Sequence, residues 1–335
     1  MSRELSPRSH CHLAFVSLAL GFLVIWMAGL AGVLICKTLK DEATAKEAAD
    51  IFQAHEDVAK ITFALGHEMV STVDWLLSDT GGDERTLAVT WQMSDAVLNT
   101  VPSTGTAMGR LALFRQTVRR SSTSPLETTS FYLGLAESVV AHCLRLDALG
   151  QPAAGLAYAI FLRGMALRFA QLALGTIYVR SELPVNATQY LRLEASSEEL
   201  METAFQLSPR ARAKWWELRE RAPKQALSDV GQDMASGASR RHHLSAAFLE
   251  EAKEQVALLL LARETLNSTL ASWTASQART ARATLTFHSS VAGVALLAVV
   301  ICLIGVVWSF RRLGASGLRP EDEAPVLPPK PHCYM

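Results

Sequence analysis

Two long apolar runs bracket the chain. Between them, apolar and polar positions recur with the spacing of helices. Leu13 to Cys36 (LAFVSLALGFLVIWMAGLAGVLIC) is 24 residues without a charge, and Val291 to Phe310 (VAGVALLAVVICLIGVVWSF) is a second run, closed by Arg311 and Arg312. Each is long enough to cross a hydrocarbon core of about 30 Å as a helix. The first exceeds the usual apolar core of a signal peptide, and no small-x-small cleavage site follows it, so it reads as an uncleaved anchor.

From Asp41 to Ser78, apolar residues Ile51, Val58, Ile61, Leu65, Met69 and Val73 fall three or four apart, or multiples of that, on one face. This predicts a single long helix continuing out of the first run, stopped by DTGGD at 79–83. Further helices are expected over Arg85 to Asn99, from about Ala107 to Arg119, and from Pro125 to about Ala148. Ser124 and Glu127 form a capping box for the last of these, Pro125 suits its first turn, and LGQP ends it. A fifth covers LAYAIFLRGMALRFAQLALGTIY at 156–178, a sixth runs from Asn186 to Leu207, and a seventh starts at Pro209 with Ser208 as its N-cap. SDVGQDMASGASRR at 228–241 reads as a polar linker, and a long helix from His242 returns to the second run. No period-two strand pattern stands out. The expected fold is all-α, with two packed up-down helical bundles between two transmembrane helices.

The stretch 156–178 is apolar enough to compete as a third span, yet it carries Arg163 and Arg168. Each arginine near a helix centre costs about 2.5–3.5 kcal/mol on insertion scales, which favours a core helix instead. A helix apolar on nearly all sides belongs at the middle of a bundle. The two arginines are five residues apart and point in different directions, so at least one faces protein and needs a carboxylate or a bound anion.

Arg3 and Arg8 before the first run, and Arg311, Arg312 and Arg319 after the second, place both termini in the cytosol by the positive-inside rule. The sequons at Asn186 and Asn267 fit an outside location for the region between the runs. The expected plan is a cytosolic N-terminus (1–12), a span (13–36), a helical extracellular domain (37–286), a second span (291–310) and a short disordered cytosolic tail (311–335), in the plasma membrane. Half the 335 residues are apolar and net charge is zero, so no large field attracts nucleic acid. Of five cysteines, only Cys143 falls between the runs, so no disulfide within the domain is expected and Cys143 reads as a small buried hydrophobe.

Several segments carry a family likeness: ALGHEMVSTVDWLLS at 64–78, SDAVL at 94–98, FYLGL at 131–135, LAY at 156–158 and LALGT at 172–176. Together they resemble the nitrate- and nitrite-sensing (NIT) domain, which precedes the cyclase in some animal receptor guanylate cyclases. The resemblance covers about 60–215 and the two-span plan. It implies two packed bundles that hold a small anion between them on arginines of these motifs. Glu68 matches the first motif, while Met69 stands at its arginine and His67 at a neighbouring basic position. Gln171 and Leu172 stand where the later motif has Glu-Arg, with Arg168 one turn before. The candidate ligand residues are therefore His67, Glu68, Arg163 and Arg168.

No Gly-rich phosphate loop or nucleophile elbow is present, and HCH at 10–12 and RRHH at 240–243 read as chance rather than metal sites. No enzyme, metal or cofactor is expected. The function expected is a small-ligand sensor or receptor-like subunit. The tail after Arg312 is too short for a catalytic domain, so output would pass through a homo- or hetero-dimer, with a receptor guanylate cyclase or a kinase as partner. The alternatives are an interaction or scaffold protein that kept the fold and lost the ligand, and a fragment of a receptor guanylate cyclase. PPKP in the tail offers an SH3-type ligand, but a disordered end is the expectation.

Overall fold

The computed structural model describes residues 7–78, 84–101, 105–120, 122–147, 153–237 and 241–316. The described residues form nine α-helices and no strand. In chain order these are α1 (Pro7–Leu76), α2 (Glu84–Asn99), α3 (Gly105–Arg119), α4 (Pro125–Asp147), α5 (Ala153–Arg180), α6 (Ala187–Gln206), α7 (Pro209–Arg221), α8 (Gln225–Ser236) and α9 (Arg241–Ser316). The DTGGD stop, the LGQP stop, the Cys143 and HCH side chains, and the tail beyond Ser316 lie outside the described residues, whereas residues 311–316, expected in the disordered tail, continue α9. The chain divides into two compact units, Ala45–Ala278 and the pair Met1–Thr44 with Arg279–Met335.

The terminal unit consists of one end each of α1 and α9. They meet at Thr38, whose Oγ1 lies 2.9 Å from His288 Nδ1 and also donates to the Leu34 carbonyl at 2.8 Å. Their large apolar side chains, Phe22, Ile25, Trp26, Leu296, Ile304 and Trp308 among them, are exposed. Three described helical stretches are long and apolar enough to cross a membrane: Gly21–Leu76, Gly155–Arg180 and His243–Trp308. They differ in what covers them. The most apolar windows of the first and last are 6% and 0% buried, whereas that of the middle one is 83% buried inside the protein. Uncovered apolar surface of this extent requires lipid as its solvent, and the chain is an all-α membrane protein.

The larger unit is built round α5. Almost every side is apolar, and residues 157–179 are buried except Ile160, Arg163 and Leu167. Three glycines set its distance to its neighbours. A Cβ on Gly66 of α1 would fall 2.1 Å from the Phe169 ring, one on Gly175 would fall 2.2 Å from Phe248 of α9, and one on Gly164 would meet Ser197 O of α6 at 3.1 Å. Tyr158 faces His55, Phe169 seats on Gly66, and Arg180 pairs with Asp74, so α1 and α5 run parallel. Helix α9 runs the other way: Phe248 meets Gly175, and Arg263 lies over the ring of Phe63 at 5.3 Å. The main apolar core extends from Ala59 through α5 to Leu270, and a smaller cluster of Leu87, Trp91 and Val118 joins α2 to α3.

Local signals in the sequence are realised unevenly. The capping box of α4 forms, with Glu127 N donating to Ser124 Oγ at 3.1 Å and Ser124 N donating to Glu127 Oε2 at 2.9 Å. Asn186 caps α6 by accepting from Gln189 N. Ser208 precedes Pro209 as expected but makes no side-chain cap bond. The expected linker at 228–241 is corrected: residues through Ser236 belong to α8. Its apolar face, Ala226, Leu227 and Val230, is buried, and Gly237 ends it with φ 67°. Glu251 of α9 supplies the missing cap, accepting from Ala226 N at 2.8 Å and Leu227 N at 3.2 Å.

Candidate ligand-binding site

Glu68 is fully buried, and it is held by Arg115 of α3 through a two-pronged ion pair, Nε to Oε1 and Nη2 to Oε2, both 2.7 Å. Arg115 Nη1 donates to Asp95 Oδ1 at 2.6 Å and Nη2 also donates to the Trp91 carbonyl at 3.2 Å. Tyr132 donates to Glu68 Oε1 at 2.5 Å, and Trp91 lies beneath both Arg115 and Arg119. Burial by itself would lower the Arg115 pKa, but the hydrogen bond and charge of Glu68 outweigh it and the net shift is upward. Burial, reinforced by the Glu68 charge, pushes the Tyr132 hydroxyl well up. The network is closed on itself. It fixes α1 to α4 in register, because losing either partner of a buried pair leaves an uncompensated charge. Three quoted segments, 64–78, 94–98 and 131–135, supply Glu68, Asp95 and Tyr132 to it.

Arg168 is also buried, and its partners come from its own turn and from α6. It donates to Gln171 Oε1 at 2.7 Å and to Glu198 Oε1 at 3.2 Å. Glu198 also faces Lys224 at 3.5 Å and Arg219 at 3.7 Å. Burial raises the Glu198 pKa, but Lys224, Arg168 and Arg219 together reverse it and leave it lowered. Gln171 Nε2 is buried with no hydrogen-bond partner among the described residues. Arg163 is exposed.

His67 stands elsewhere, in the wall of a cavity of about 520 Å³ between α1, α5 and α9. Its walls include Val70, Ser71 and Asp74 of α1, Leu172, Thr176 and Arg180 of α5, and Leu249, Lys253 and Val256 of α9. His67 is exposed at the rim, but crowding strips hydration from its ring and lowers its pKa against the opposing pull of Glu68. Asp74 and Arg180 face each other at 3.1 Å. Glu250 and Lys253 pair at the outer edge at 2.7 Å. The volume falls within the range of small-molecule sites.

The structure therefore places the four sequence candidates in different surroundings: Glu68 in the α1–α4 network, Arg168 against α6, His67 in the cavity wall and Arg163 in solvent. Arg115, Asp74 and Arg180 were not singled out from the sequence. Arg115 left one signal, a charge on the same face as Leu111 and Val118, both of which are buried. Among the described residues, no group of three or more His, Cys, Asp and Glu side chains is placed to hold a metal ion. The chain matches no protein-family model, no curated protein and no solved structure.

Proposed function

We propose that the chain is a two-span receptor-like subunit whose helical domain lies outside the plasma membrane and senses a small ligand. The observation that carries this reading is that α1 and α9, the two helices with uncovered apolar runs, both wall the cavity. A ligand there changes the contacts of both helices, which is what a differential interaction with two states requires. The role is binding rather than catalysis, with output through a cytosolic partner such as a cyclase or kinase. The resemblance names a nitrate- or nitrite-type anion as a ligand; it would sit apart from the cavity, on Arg168 where α5 faces α6, in exchange for Glu198.

Calorimetry of the full chain in detergent with nitrate and nitrite tests the anion. Heat that disappears in Arg168→Ala supports it, and no heat, or unchanged heat in that variant, sinks it. Affinity capture of the solubilised chain, probed for a cyclase or kinase, tests the output. An interaction protein that binds no anion is the second reading. It is favoured by the neutralisation of both buried arginines, Arg115 by Glu68 and Asp95 and Arg168 by Glu198.

A further inference from the structure

The cavity between α1, α5 and α9 is much larger than nitrate, and its walls are mostly apolar. Val70, Leu172, Leu249 and Val256 supply that surface from three helices. Asp74 and Arg180 are the last cavity residues along the parallel helices α1 and α5, so they mark one end of it.

This pair is close but poorly joined. Asp74 Oδ1 lies 3.1 Å from Arg180 Nη1, yet it is buried without an aligned hydrogen bond among the described residues. The guanidinium has five N–H donors, and the carboxylate accepts in several directions. Both therefore retain capacity for a third group. Glu250 and Lys253 are each 72% exposed and satisfy each other, so they do not compete for it. The four charges sum to zero. A lone anion would gain from Arg180 only against the adjacent Asp74 carboxylate, while a molecule carrying both signs gains from each.

We propose that this cavity binds an amino-acid-type zwitterion with an apolar side chain, its carboxylate on Arg180, its ammonium on Asp74 and its side chain against Val70, Leu172, Leu249 and Val256. Arg180 offers the carboxylate a planar fork of donors. The Asp74 side chain is 41% exposed although its Oδ1 is buried against Arg180, so its other carboxylate oxygen is the one open to the ammonium. The apolar body replaces water on surface that has no use for it. The proposal rests on the receptor reading only for what binding accomplishes.

The test is calorimetry on the full chain in detergent or nanodiscs with L-phenylalanine and L-tryptophan. Controls are 3-phenylpropionate, which keeps the carboxylate, and phenethylamine, which keeps the ammonium. Binding of at least one amino acid is expected, with each control weaker by about ten-fold or more, the loss of one charge-assisted contact. Asp74→Asn and Arg180→Gln should each weaken the amino acid by a similar factor while circular dichroism and melting stay as in the wild type. The proposal is overturned if neither amino acid binds, or if 3-phenylpropionate binds as tightly as L-phenylalanine. Those comparisons use the wild-type chain and stand even if a variant fails to fold. Binding unchanged in both folded variants also overturns it. Binding of an amino acid by this pattern, with no change in the captured partner, keeps the site and removes the receptor role. Absence of binding removes the site and leaves the nitrate experiment to judge the sensor reading.

Discussion

Glu194 and Glu198 stand one turn apart on α6, and their surroundings move them in opposite directions. Burial raises the Glu194 pKa, and Arg168 opposes this without reversing it, while the Glu198 charge adds to the rise. Glu198, closer to its cations, ends lowered. The signs for stability follow from linkage. Ionised Glu194 subtracts stability above its raised folded value, and the penalty is gone below the ordinary carboxylate range. Glu198 adds stability above that range, and the gain is lost as pH falls through its lowered value. Glu194→Gln should therefore raise the melting temperature near neutrality, with the gain vanishing below about pH 4, the unperturbed range of a carboxyl. Glu198→Gln should lower it over the same interval. Melts against pH on both variants check this; a destabilised Glu194→Gln at neutral pH contradicts it. That Arg163 or Arg168 faces protein and needs a carboxylate or a bound anion was legible in the sequence, because their helix has no polar face, and the buried one is Arg168. Its partner was not, since Glu198 is thirty residues away and one of four glutamates within nine residues. The same holds for Arg115, whose partners come from two other helices.

At the scale of elements, rings seated on glycines decide how closely α5 is approached. Gly66→Ala should destabilise the domain by about 1–3 kcal/mol, the usual cost of overpacking, despite the better helix propensity of Ala. Gly134, on α4, has no atom within 4 Å of a built Cβ, and Gly134→Ala should be neutral or mildly stabilising. Denaturant melts of the two variants distinguish a seat from an idle glycine; equal effects would dismiss the seat. Helices α1 to α7 and α9 were legible because their periodicity or caps are local. Helix α8 was not. Its Gly, Ser and Asp content imitates a linker, while its buried spacing is short and its N-terminal cap arrives from Glu251 on another helix. Composition dominated there because the stabilising contact is distant in sequence.

For the whole molecule, the proposed topology makes a sharp statement about sugar. Asn186 is exposed at the junction of an irregular segment and α6, whereas Asn267 lies within α9 with its amide oxygen buried. With the domain outside, N-glycosidase should shift the wild-type band, Asn186→Gln should abolish the shift, and Asn267→Gln should retain it. No shift in the wild type, expressed in animal cells, would count against the outside location. The two apolar runs and the all-α fold were visible in the sequence because lipid-exposed helices need no long-range partner. The cavity was not, because it exists only where three separate helices meet. In the terminal unit, Thr38 has one hydroxyl hydrogen, and it points at the Leu34 carbonyl. A hydroxyl anchored in its own turn is held in place before its neighbour arrives, so the 2.9 Å contact with His288 Nδ1 joins α9 to a side chain that needs little further ordering.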